Sequence, residues 1–200
     1  MRYRLAVLML LMLLAILPVM NVLAAPVPAP SAILQIAPPP KGESMEKHLE
    51  YVIGQQLTDP YGFLFKVWRD PEIGKLPSVA ALKDARSWLS KNIRVTKEDE
   101  GRRLRLEFRA GNRREQVAIL NKLLDVYVQA AGKKQQFFEK QLRWQENCIL
   151  ELEERIKSRR NPQDAASCKE AINDLRSNLI PATRAEIDRY KQIAVIKPAK

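Results

Sequence analysis

From residue 5 to residue 25 every position is apolar except Asn21. After that run the pattern changes several times. Ala32-Ile33-Leu34-Gln35-Ile36, set between two groups of prolines, is rich in β-formers and predicts a short strand. Ser44 offers an N-cap, and Leu49, Val52, Ile53 and Leu57 then recur at helical spacing. Thr58-Asp59-Pro60 is expected to end that helix and start the next. Phe63, Leu64, Val67 and Trp68 form a second stripe, cut at Asp70-Pro71, and a third short helix runs from Ala80 through Trp88 and Leu89. Two strands follow. The first is Ile93-Arg94-Val95. In the second, Arg103 to Arg109, Leu104, Leu106 and Phe108 share one face and the charged residues share the other. Asp99-Glu100-Gly101 between them is a hairpin turn signal, so the pair predicts an antiparallel sheet with one wet face.

The second half is helical by pattern. Gly111 stops the strand, Asn112 caps the next helix, and Glu115 is its reciprocal partner three residues on. Apolar positions continue at Val117, Leu120, Leu124, Tyr127 and Ala131. After a weak stretch at 132–134 they resume at Phe138, Leu142, Gln145, Ile149, Leu152 and Ile156. Steps of three and four in one register argue for a coiled-coil seam. A helix from Arg113 to about Arg159 would be roughly 70 Å long. A base this small leaves part of it to project or to meet another chain. Arg160-Asn161-Pro162 breaks it. Ala165, Cys168, Ile172, Leu175 and Leu179 resume a seam, Pro181 interrupts it, and Ile187 and Tyr190 continue it. A helical hairpin is the simplest arrangement. Residues 193–196 read as a last strand that rejoins the sheet.

The expected fold class is therefore α+β. A small antiparallel or mixed sheet with packed helices makes a base, and a long, coiled-coil-like helical hairpin extends from it. The segments are residues 1–25 (signal peptide or N-terminal membrane anchor), 26–40 (proline-rich linker with a short strand), 41–131 (base), 132–191 (hairpin) and 192–200 (strand and tail).

Residues 1–25 set the compartment. Arg2 and Arg4 precede the apolar run, Leu5–Leu17 suits a signal-peptide core, Pro18 breaks it, and Val22-Leu23-Ala24 offers a cut before Ala25. The whole run is also long enough for a retained anchor. Either way the basic start stays inside and residues 26–200 are exported, to the periplasmic face of the inner membrane or, if residues 1–24 are removed, to the soluble periplasm.

Charge and chemistry narrow the function. The net charge of +11 favours anionic partners, with Arg102, Arg103, Arg113 and Arg114 as candidate contacts. Nucleic acid is disfavoured because export removes the chain from it. His48 is the sole histidine, the seven glycines form no phosphate loop, and no serine or cysteine has a histidine base in a recognisable motif. Neither an enzyme nor a cofactor or metal site is expected. Cys148 and Cys168, in an oxidising compartment, either form a disulfide across the hairpin or stay as buried thiols. Trp68, Trp88 and Trp144 read as packing residues, although Trp144 lies off the seam.

The order of parts carries a resemblance. A membrane segment leads to a strand, then to Tyr51 and Gln55-Gln56-Leu57, then to residues 69–77 (RDPEIGKLP) and 88–95 (WLSKNIRV). A strand and the stretch 116–127 (QVAILNKLLDVY) follow and feed the long helix. Over residues 30–197 the chain resembles the periplasmic part of the polysaccharide co-polymerases, the chain-length determinant family. The resemblance implies an α/β base near the membrane, a long helical arm, assembly side by side into rings, and control of surface-glycan length without catalysis by the domain itself. Members re-enter the membrane through a second, proline-rich helix, which these residues do not contain. The expected partners are further copies of the chain, a polysaccharide polymerase or an acidic glycan, and the membrane through the N-terminal segment. A periplasmic coiled-coil adaptor that binds a protein partner is the alternative.

Overall fold

The computed structural model describes residues 28–158 and 162–200. Residues 1–27 and 159–161, where the expected signal peptide or anchor and the expected helix break fall, lie outside the described residues. Four strands form one sheet: β1 (Ser31–Gln35), β2 (Ile93–Glu98), β3 (Arg103–Phe108) and β4 (Ala194–Lys197). Their spatial order is β2-β3-β1-β4, and every pairing is antiparallel. The chain is thus α+β, with an antiparallel sheet.

Alternation explains why the sheet buries one face. Leu34 pairs with Leu104 and Ala32 with Leu106 across β1 and β3, while Phe108 pairs with Ile93 across β3 and β2. Ala32, Leu34, Leu104, Leu106 and Phe108 are fully buried on that face. Burying a leucine or phenylalanine side chain stabilises the fold by about 2 kcal/mol each. The hairpin between β2 and β3 turns through Asp99, Glu100 and Gly101, whose φ values of 47°, 54° and 88° are all left-handed. Glycine is needed at 101, because a Cβ there would collide with Leu49.

Short helices cover the sheet. Helix α1 (Met45–Tyr51) is capped by Ser44 Oγ, which accepts the Lys47 N–H at 3.3 Å. It continues into one wide turn, Val52–Leu57, closed by the Thr58 N–H on the Ile53 carbonyl. The next helix does not open at Pro60 as the pattern implied. Asp59 Oδ1 instead accepts the Tyr61 N–H in a tight turn, and α2 (Phe63–Trp68) starts after it. Asp70 caps α3 (Pro71–Gly74) through the N–H groups of Glu72 and Ile73. The expected third helix is two, α4 (Pro77–Ala80) and α5 (Ala85–Asn92). Asp84, whose Oδ1 accepts the Ser87 N–H, starts the second afresh.

Helix α6 (Arg113–Ser158) runs 46 residues without a break, and the weak stretch at Gly132 leaves it continuous. Its first turns lie in the main core through Ile119, Leu120, Leu123, Leu124 and Tyr127. Beyond Ala131 its neighbours are α7 (Pro162–Asp174), one wide turn (Leu175–Leu179) and α8 (Ile180–Lys191). There Ile149 meets Ile172, Leu175 and Ile180 in a second, smaller cluster, with Leu142, Cys148, Leu152 and Ile156 packed against it.

The wide turn corrects one seam position. Leu179, expected inside, is 44% exposed, and Ile180 is buried at 8%. The turn closes from the Ile180 N–H to the Leu175 carbonyl, five residues back, which inserts one residue into the helical repeat. Pro181 supplies the cause. Its ring crowds the carbonyl four residues back and it has no N–H to give, so the helix widens at that point.

Candidate functional site

Four of the predicted seam residues, Leu142, Ile149, Leu152 and Ile156, come together in the second cluster, and Phe138 stands outside it. Phe138 stacks on Tyr190 with centroids 6.0 Å apart and planes 19° from parallel. Leu142, Leu152 and Ile156 are half-buried around Ile149. Gln145 is the exception in chemistry: it is 2% exposed, and its Oε1 has no hydrogen-bond partner among the described residues. Thr183, also buried, lies next to Arg184, which donates to Glu146. A polar layer therefore sits inside an apolar seam, an arrangement that fixes register at some cost in stability.

Cys148 and Cys168 are free thiols. The arms are too far out of step for the disulfide reading. Arg176 donates to Glu153 and Arg184 to Glu146, so Cys148 lies level with residues near 181. Cys168 is then about thirteen residues further along, roughly 20 Å at 1.5 Å per residue. A disulfide needs Cα atoms within about 7 Å.

The four candidate anion contacts do not form one patch. Arg102 precedes β3 and Arg103 opens it, whereas Arg113 and Arg114 follow it. Arg103 is paired with Asp99 at 2.8 Å. Arg113 donates to the carbonyls of Pro28 and Lys200, both at 3.1 Å, and so ties the two ends of the described chain to the start of α6. Arg114 lines a hollow with Asp70, Glu72, Glu115 and Asp125, a setting that repels anions. In that hollow Asp70 is ion-paired with Lys122, which holds the Asp70 carboxyl below its usual range and the Lys122 ammonium above its own.

A second hollow lies elsewhere, where α1, the inner half of α6 and the end of α8 meet. A cavity of about 280 Å³ is bounded by His48, Val52 and Gln56 of α1 and its wide turn, by Phe63, Tyr127 and Lys134, and by Arg189 and Tyr190 of α8. His48 is buried, with Nε2 at 3.1 Å from the Ala37 carbonyl and Nδ1 at 3.7 Å from Glu43 Oε2. A carbonyl can only accept, so Nε2 carries the proton. Burial pushes the His48 pKa below its ordinary value, and Arg189 adds to the shift against the opposing Ala37 carbonyl and Glu43. Burial likewise pushes the Tyr127 hydroxyl up. Phe63 meets Tyr127 edge to face at 5.6 Å.

Sequence reasoning missed this cavity because its walls come from positions 37 to 193 and form no local motif. A lone histidine on an apolar helix face was the only signal. Among the described residues no group of three or more His, Cys, Asp or Glu is placed to hold a metal ion, and no helix is long and apolar enough to cross a membrane. No protein-family model matches the chain, and no curated protein matches its sequence.

Proposed function

We propose that this chain is a non-enzymatic, oligomerising cell-envelope protein, exported through residues 1–25, that acts as regulators of surface-polysaccharide chain length and export act. The observation that carries the reading is the division of α6. Its first turns are built into the base, whereas beyond Lys134 its second apolar cluster is shared, among the described residues, with α7, the wide turn 175–179 and α8. On this reading residues 132–191 are a helical hairpin that rises from the base as a lateral assembly surface. Phe137 and Trp144, each 63% exposed, stand two turns apart on one side of α6, away from the seam. Large apolar side chains exposed together on a rod favour contact with another protein surface. Further copies of the chain are the partners of choice, with a polysaccharide polymerase or an acidic glycan beyond them.

The test is the length distribution of the host's surface polysaccharide on a gel, with the gene deleted and then overexpressed. A shift in modal length is the expected outcome. An unchanged ladder overturns the length-regulator reading and favours a periplasmic scaffold that binds a protein partner. Self-association is tested separately by sedimentation of the full chain in detergent, where Phe137→Ser with Trp144→Ser should lower the assembled mass.

A further inference from the structure

We infer that the cavity between α1, α6 and α8 is a binding site for a small organic carboxylate with a flat, apolar body. Three features of the walls specify that class. The first is an under-used cation. Arg189 lines the cavity and is largely buried; its Nη2 donates to the Tyr190 hydroxyl at 2.9 Å and its Nη1 to Glu186 at 3.4 Å. Its Nε is buried with no hydrogen-bond partner among the described residues. A buried charged donor left unmade is costly, and an acceptor oxygen brought by a ligand removes the cost. The Lys134 ammonium, 5.7 Å above the Tyr190 ring, adds a second positive charge to the same wall. Among the described residues Glu43 is the single acid on the wall, and it faces His48 Nδ1.

The second feature is shape. Phe63, Tyr127 and Tyr190 present aromatic surface, and Val52, Ala130, Ala131 and Ile193 complete an apolar lining. A ring stacks on such faces, whereas a polyhydroxylated body would leave its hydroxyls without partners. The third is size. At about 280 Å³ the cavity falls just short of the roughly 300 Å³ at which drug-sized pockets begin, so it suits a one-ring molecule.

The location gives binding a consequence. Arg189 and Tyr190 end the arm that packs on α6, and Ile193 immediately precedes β4, which pairs with β1. A ligand held between these residues and His48 of α1 ties the end of the arm to the base. The inference does not depend on the glycan reading above.

The test uses the full chain in detergent, titrated calorimetrically with benzoate, with benzyl alcohol as the uncharged analogue, and with inorganic phosphate. Saturable one-to-one binding of benzoate is expected, roughly tenfold or more tighter than benzyl alcohol or phosphate, and lost by about the same factor in Arg189→Gln. Because Arg189→Gln also disturbs α8, two further variants carry the same prediction. Lys134→Gln alters an exposed side chain and should weaken benzoate alone. Ala130→Phe should fill the cavity and abolish binding while the melting temperature holds. Benzyl alcohol binding as tightly as benzoate would overturn the anion site, phosphate binding as tightly would overturn the ring site, and no saturable benzoate binding would overturn both.

Discussion

Glu115 accepts the backbone N–H of Ser78 at 3.1 Å, across 37 positions of sequence. The same carboxylate accepts the Asn112 N–H at 2.9 Å, and Asn112 Oδ1 accepts the Glu115 N–H at 3.0 Å. One buried side chain thereby closes the capping box of the longest helix and fastens the start of α4 to it. Gly111 completes the arrangement. It has φ +75°, and a Cβ there would come within 2.7 Å of Glu115 Oε2.

Glu115→Ala should therefore cost more than an ordinary cap. It leaves the Asn112 and Ser78 N–H groups unpaired together, for a loss of about 2–3 kcal/mol by urea denaturation. Glu115→Gln keeps one acceptor oxygen and should lose about half as much. The backbone donors of Asn112 and Ser78 hold the Glu115 carboxyl below its usual range. Its stabilising contribution is thus complete above the unfolded-state pKa of about 4.3 and is lost as pH falls through the lower folded value. A Glu115→Gln variant whose stability falls as steeply in acid as the parent's would contradict this assignment.

His48 gives a second, separate dependence on pH. Its folded pKa lies below the ordinary value of 6.5, chiefly through burial. The unfolded chain therefore binds the proton more readily, so stability is complete above pH 6.5 and declines as pH drops through the folded value. Arg189 adds to the depression, the Ala37 carbonyl and Glu43 oppose it, and Lys134 and Tyr190 line the same cavity. As the chain has one histidine, its imidazole C2 proton titrates alone in an NMR spectrum. We expect a midpoint under 6.5. A midpoint at or above it would mean that Glu43 outweighs burial.

The wide turn before Pro181 reverses the expected importance of two neighbours. Ile180→Ala should cost about 2–4 kcal/mol, because it empties the cluster around Ile149. Leu179→Ala should fall within about 0.5 kcal/mol of the parent, since that side chain is exposed. Equal losses would show that the helix keeps its ordinary repeat through this segment.

That reversal marks where the sequence ceased to be legible. Strand β3 was readable because Leu104, Leu106 and Phe108 alternate with charges, and α6 because its cap and seam repeat at fixed spacing. Both are local signals. The insertion of one residue at 175–179 was not readable, because the pattern at 172, 175 and 179 is helical whether or not the turn widens. Proline announced a disturbance without revealing its form. The cavity around His48 escaped for a different reason. Its walls are distant in sequence and become neighbours only when α8 packs on α6 and β4 pairs with β1. The candidate anion contacts show a different limit of pattern: Arg103 and Arg113 look available in the sequence, yet each already has partners in the fold.

The cysteines test the stagger of the arms directly. With Arg176 on Glu153 and Arg184 on Glu146, Cys148 packs beside Ile149, while Cys168 lies midway along α7 and outside that cluster. Shifting the arm to join them would move Ile172, Leu175 and Ile180 off Ile149. The disulfide would then stabilise the chain by about 2–4 kcal/mol at the expense of the apolar contacts it displaced. The expected result is that the protein, denatured without reductant and alkylated, gains two adducts by intact mass, both before and after exposure to oxidised glutathione at low protein concentration. An unmodified monomer mass that gains the adducts only after reduction would mean that the two thiols meet within one chain, and that the arms pack about thirteen residues away from the register described here.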